Sequence, residues 1–195
     1  MFEFIKGDVV ELTPTLAILE NNGIAYSINI TISTYTAIQG KKNVCLYLYE
    51  AIREDAFILY GFAEKTERQM FLLLISVSGV GAGTARVILS SVSVPELQAA
   101  IAGGNEALFK GVKGIGLKTA QRIIIDLKDK VLSIQTVPGA INISSALSEV
   151  QEEAVSALVM LGFAAPAVRK VISKIAEADS SLSVEIIIKK ALKMM

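Results

Sequence analysis

The spacing of hydrophobic positions changes near residue 63, and the change divides the chain. Residues 1–62 carry short apolar or alternating runs, IKGDVVEL, TLAILE, IAYSINI, NVCLYLY and AFILYGF, separated by turn-forming Thr13-Pro14, Asn21-Asn22-Gly23 and Gln39-Gly40. A period of two with β-branched and aromatic enrichment predicts five strands. Five short strands suit a small OB-like β-barrel, because closure leaves no unpaired edge. Between the last two runs the charged triplet Arg53-Glu54-Asp55 predicts a projecting hairpin tip.

Beyond residue 63 the period becomes about 3.6. A helix is expected over 67–76, with Met70, Phe71, Leu74 and Ile75 inward, and a second from residue 83 or 84 through Leu89. Pro95 opens a third, at a position where its missing N–H costs nothing. A short helix over 105–110 and a longer amphipathic one over 119–131 complete an all-α domain, residues 63–132. Its glycine turns repeat: SGVGAGTARV (78–87) and KGIGLKTAQR (113–122) align Gly79 with Gly114, Gly81 with Gly116 and Ala85 with Ala120. Small residues at matched positions predict close backbone approach between the helices flanking each turn. Residues 133–147, uncharged and containing Pro, Gly and Ser, read as a flexible linker, with Ile and Val that would let part of it pack. Residues 148–195 predict a three-helix bundle over 149–160, 165–177 and 183–192. So short a bundle has a marginal core, and is expected to work tethered or docked to a partner.

Composition narrows the chemistry. No apolar run reaches the eighteen or so residues that span a membrane, and the start has an acid at position 3 and no small-residue cleavage site. A cytoplasmic location is expected. The chain has no histidine and one cysteine, Cys45, so an internal disulfide is ruled out and metal and cofactor sites built on those side chains are not expected. Nineteen basic and nineteen acidic residues cancel, but unevenly. Residues 1–62 hold four basic and seven acidic side chains, net −3; residues 63–132 hold nine and six, net +3; the remainder balances. Both glycine turns fall in the positive segment.

The second turn resembles a nucleotide loop but fails its spacing. Counting from Gly111, Leu117 intervenes before Lys118-Thr119. One extra residue rotates the lysine and hydroxyl by about 100° around a helix. The dinucleotide fingerprint fails too, with Thr84 and Thr119 where Gly or Ala is needed. What remains is phosphate binding without a cofactor: Gly-hydrophobic-Gly bends present backbone N–H groups at a helix N-terminus, where orphan donors suit a phosphate oxygen. Val80 and Ile115 would plug each bend into the core. The candidate contact set is therefore Gly79, Val80, Gly81, Gly83 and Arg86 in the first copy, and Lys113, Gly114, Ile115, Gly116, Lys118, Thr119 and Arg122 in the second. Such a site reads backbone, not base sequence. Lys118 and Arg122, four apart, share a helical face.

The paired bends, REDAFILYGF (53–62), and the C-terminal Glu152-Glu153-Ala154 and ALVMLGF (157–163) together resemble the RuvA family of Holliday junction-binding proteins over essentially the whole chain. The resemblance implies a homotetramer, able to pair as an octamer, whose basic face receives four-way junction DNA held open and planar during recombination, repair and the SOS response to DNA damage. It implies that Glu54 and Asp55 form an acidic pin, that the chain is a non-catalytic subunit of the RuvAB branch-migration complex, and that the C-terminal bundle docks the RuvB ATPase motor, with the RuvC resolvase a further partner. Leu158, Leu161, Phe163, Val171 and Ile172 are the candidate docking residues. Gly83 and Leu117 stand where the family commonly has basic residues, and Lys113 where proline is common, which moves the electrostatic load to Lys118 and Arg122. Two other readings use the same residues: a DNA nuclease or lyase, with Lys113 as an amine nucleophile, and a structural or RNA-binding scaffold.

Overall fold

The computed structural model describes residues 2–131, 134, 149–178 and 182–195. They form two compact units, the first within residues 1–140 and the second within 141–195.

Five strands close the barrel in the first unit: β1 (Phe4–Thr13), β2 (Leu16–Asn21), β3 (Ile24–Ile30), β4 (Asn43–Ile52) and β5 (Phe57–Phe62), in the order β1-β2-β3-β5-β4. All ladders are antiparallel except β3 with β5, which run parallel from Ile28 opposite Leu59 to Ile30 opposite Gly61. Alternation places Ile5, Leu19, Ile28, Leu46 and Leu59 inside. β5 is covered on both faces: Leu59 fills the barrel while Tyr60 and Phe62 turn outward into the helical core. Gly61 sits where a Cβ would lie 2.6 Å from Ile28 Cγ2 and 3.1 Å from Leu46 Cδ1, so only glycine fits that closing strand. The five expected strands are present. A helix that the alternation did not predict, α1 (Ile32–Ile38), joins β3 to β4. Its ISTYTAI sequence is rich in β-branched residues, which favour strands. Thr31 caps it by accepting a hydrogen bond from the Thr34 N–H, and Thr34 and Ile38 are buried.

Helices α2 (Lys65–Ile75), α3 (Ala82–Ser91), α4 (Val94–Ala102), a 3₁₀ turn (Glu106–Gly111) and α5 (Leu117–Leu127) follow. Ser93 and Glu96 form a capping box at the start of α4, with Pro95 in its first turn. Met70, Phe71 and Leu74 are fully buried, as their spacing predicts, and Phe71 stacks at 4.8 Å from Phe62 and 5.4 Å from Tyr60. The outer face of β5 thus belongs to the helical core, beside the separate core inside the barrel. Most of the linker segment 133–147 lies outside the described residues, but Ile134 is buried in the helical core and its carbonyl accepts a hydrogen bond from Gln98.

The seam between barrel and helices also carries polar contacts. Glu67 of α2 is buried, and its carboxylate accepts hydrogen bonds from Thr31 Oγ1 at 2.5 Å and Thr34 Oγ1 at 2.8 Å. Burial raises its pKa above the ordinary carboxylate value, against the lowering effect of the two hydroxyls. Arg68, one residue on, pairs with Glu3, donates to the Glu3 carbonyl at 2.9 Å and lies over the Tyr47 ring.

The second unit packs α6 (Glu149–Met160), α7 (Ala165–Ala178) and α8 (Val184–Met194) around Ala154, Val155, Leu158, Val168, Ile172, Ile175, Ile187 and Ala191.

Candidate nucleic-acid interface

The two glycine bends are the same structure built twice. Gly79 and Gly114 both have φ +92°, a left-handed conformation that glycine adopts without strain. The next residue turns its side chain inward: Val80 is buried and Ile115 packs against the same core. Val80 N–H donates to the Val77 carbonyl at 3.0 Å, and Ile115 N–H to the Val112 carbonyl at 3.2 Å. Gly81 and Gly116 then cap α3 and α5 with φ −87° in both and ψ 169° and 168°. Their carbonyls accept from Ala85 and Ala120, both buried.

Gly81 and Gly116 differ from Gly79 and Gly114 in an informative way. Their extended backbone suits any residue, and a Cβ at either would meet nothing within 4 Å. The small residues expected at the helix packing surface are Ala85 and Ala120, both buried, while the capping glycines keep the approach open. What the capping glycines leave is open space before two helix N-termini that have no side-chain cap. The amides of each first turn have no intrahelical acceptor. Their partial positive charge suits an anion.

The side chains around the bends are unequal. In the second copy Lys113, Lys118 and Arg122 are exposed. Lys118, Gln121, Arg122, Ile125 and Asp126 line one shallow depression, so the expected common face exists. Thr119 is half-buried. In the first copy Gly83 is exposed and chargeless, and Arg86 does not stand free beside the bend. Its Nη1 donates to Asn29 Oδ1 at 2.7 Å and to the Thr15 carbonyl at 3.3 Å. One guanidinium nitrogen of Arg86, the expected cation of the first bend, is thus engaged by the barrel, unlike the exposed Lys118 and Arg122.

The hairpin β4–β5 continues in register to Ile52 opposite Phe57, and Arg53 N–H closes its tip on the Ala56 carbonyl at 2.8 Å. Arg53, Glu54 and Asp55 are exposed, flanked by exposed Ile52 and Phe57, which composition alone did not single out. Among the described residues no group of three His, Cys, Asp or Glu side chains converges as a metal site.

In the C-terminal unit the five candidate docking residues separate. Leu158 and Ile172 are fully buried core, and Phe163 and Val171 pack against that core from partly exposed positions. Leu161 is exposed. Leu158 and Ile172 are therefore not available to a partner, because removing them would empty the bundle. One exposed apolar run among the described residues is Val159, Met160 and Leu161 at the end of α6, with Met160 88% exposed. Helical phase carries the signal for it: Ala154, Val155 and Leu158 face inward, and α6 ends before the next inward turn.

Comparison with known families matches residues 1–61 to the RuvA N terminal domain, residues 71–129 to the SAM-like Helix-hairpin-helix tandem and residues 149–195 to the RuvA C-terminal domain. The chain is 55% identical over 199 residues to a protein of Bacteroides thetaiotaomicron named Holliday junction branch migration complex subunit RuvA, with 99% of each chain covered. Proteins of the same name from Porphyromonas gingivalis, 50% identical with both chains fully covered, and Flavobacterium psychrophilum, 44% identical over 99% of each, are also similar. With barrel, duplicated bends and C-terminal bundle each matched in order, the chain belongs to the RuvA family.

Proposed function

We propose that this chain binds four-way DNA junctions by their phosphate backbone, holds them open, and recruits the RuvB motor, which supplies the ATP hydrolysis. The observation that carries the reading is the duplicated bend with an open glycine cap. Two uncapped helix N-termini at matched positions offer two phosphate sites, and a site made of amides reads backbone rather than base edges. Gly79, Val80, Gly81 and Gly83 form the first site. Lys113, Gly114, Ile115, Gly116, Lys118, Thr119 and Arg122 form the second, where the side-chain charge is concentrated.

Glu54 and Asp55 act by repulsion. Neither carboxylate has a partner among the described residues, and both sit at an exposed tip. Carboxylates at the crossover repel phosphates, which disfavours an unbroken duplex lying across the face and separates the strands of a junction. The chain works as a homotetramer of square symmetry in the cytoplasm, with pairing to an octamer and contact with the RuvC resolvase as further assemblies. It holds no active site of its own, and the nuclease or lyase reading has nothing in its favour, since exposed Lys113 lacks a neighbouring acid–base partner among the described residues. No described helix is long and apolar enough to cross a membrane.

A gel-shift combined with a native mass measurement on a synthetic four-way junction tests the reading. Retardation of the junction in preference to duplex, at a mass of four chains, is expected. Equal retardation of duplex, junction and structured RNA would reject it in favour of a general scaffold.

A further inference from the structure

Arg86 departs from its counterpart in the repeat. The alignment of Ala85 with Ala120 puts Arg86 opposite Gln121, and Gln121 lies exposed in the depression beside Lys118 and Arg122. Arg86 instead turns to the barrel and donates to Asn29 Oδ1 at 2.7 Å. Asn29 passes the connection on, since its Nδ2 donates to the Leu59 carbonyl at 3.3 Å. Leu59 belongs to β5, the returning arm of the hairpin that carries Glu54 and Asp55. The relay crosses the parallel β3–β5 ladder, where Asn29 stands opposite Tyr60. A second tie lies nearby on α3, where Ser90 Oγ accepts the Ile32 N–H at 3.2 Å.

We propose that Arg86 is a positioning residue: through Asn29 it fixes the first phosphate-binding bend relative to the acidic hairpin, and the preference for junctions over duplex depends on that fixed spacing. The inference rests on the reading of the bends and hairpin given above. A duplex engages the bends alone, so it tolerates slack between bend and hairpin. A junction must meet phosphate sites and acidic tip together, so slack costs the part of its binding that distinguishes it from duplex. A charged donor on a side-chain amide oxygen is among the stronger protein hydrogen bonds, and Nη1 ties α3 both to β3 at Asn29 and to the β1–β2 turn at Thr15.

The test uses the full chain with Arg86→Ala, Asn29→Ala, the double variant and Arg86→Lys. Junction and duplex affinities are measured at two salt concentrations alongside thermal melting. The expected result is an unchanged duplex affinity and salt slope, with the junction-over-duplex ratio falling about five- to tenfold in each single variant and no further in the double, as coupled neighbours behave. Arg86→Lys, which keeps one donor, restores part of the ratio. Two results overturn the proposal. If Arg86→Ala weakens duplex binding and lowers the salt slope by about one phosphate's worth while Asn29→Ala is silent, Arg86 is a phosphate ligand. If melting falls but the ratio holds in all variants, the contact is structural only. Should Arg86→Ala fail to fold, Asn29→Ala carries the same comparison. A parallel Lys118→Ala/Arg122→Ala variant separates the two layers: unchanged affinity there would sink the reading of the bends, whatever Arg86 does.

Discussion

Gly79 and Gly114 hold the same backbone angle, φ +92°, each one residue before an aliphatic side chain packed on the shared core. That identity extends through the turn hydrogen bond and the capping glycine, so the two bends are one device repeated. The device presents amides, and the side chains around it set how strongly charge assists.

Charge assistance is concentrated in the second copy. Replacing Lys118 and Arg122 by alanine is expected to weaken junction and duplex binding together. The log–log salt slope should shrink by roughly two, because each phosphate no longer neutralised removes about 0.9 from it. Both side chains are exposed and share a depression, so the fold is unaffected. Titration at two salt concentrations measures both effects.

In the proposed reading the hairpin tip sets the preference for junctions over duplex. Glu54→Gln with Asp55→Asn removes two exposed charges without touching a described contact. Duplex binding is expected to tighten while junction binding changes little, so the preference narrows. A competition assay between the two DNAs reads it, and an unaltered preference would remove the hairpin from the account.

Glu67 predicts a pH dependence of stability with an unusual sign for a carboxylate. Burial raises its folded pKa above the ordinary value of 4.5. Below that value both folded and unfolded chains hold the proton. As pH rises through the window between the two pKa values the unfolded chain releases it first, so this residue's contribution to stability falls with rising pH. Glu67→Gln removes the fall. Glu3 and Glu96 have lowered pKa values and act in the opposite sense, so the difference between wild type and Glu67→Gln in urea titrations across acidic to neutral pH isolates the effect. Glu67→Ala leaves the Thr31 and Thr34 hydroxyls without this acceptor and is expected to cost about 1–3 kcal/mol.

Much of this was legible in the chain. Strand and helix periods placed every barrel strand and each helix of the C-terminal bundle, and the Gly79–Gly81 and Gly114–Gly116 repeat located the bends. Three features were not. The helix over Ile32–Ile38 was hidden because its β-branched residues are held helical by the Thr31 cap and by packing of Thr34 on Glu67, an interaction made across the seam. The tie of Arg86 to the barrel was not legible because sequence shows charge beside a bend but not that Asn29 Oδ1 lies 2.7 Å from Nη1. The docking residues were mixed with core because Leu158 and Met160 are both apolar, and only the phase and end of the α6 helix separate buried from exposed.

That separation makes a prediction for the motor. Met160→Asp or Leu161→Asp is expected to abolish RuvB recruitment in a pull-down while stability stays within a few tenths of a kcal/mol of wild type, as for exposed positions generally. Leu158→Asp buries a charge in the bundle and is expected to unfold it.

The central claim is that the open amides at the two capping glycines hold DNA phosphates, and Gly81→Ser with Gly116→Ser tests it most directly. A Cβ at either position meets nothing within 4 Å, and serine caps a helix at least as well as glycine, so stability is expected to hold or rise by a few tenths of a kcal/mol. The new hydroxyls take the amides and fill the approach, so affinity for a labelled four-way junction is expected to fall at least about tenfold, comparable to losing one or two charge-assisted hydrogen bonds. A folded double variant that binds the junction as tightly as wild type would contradict the account.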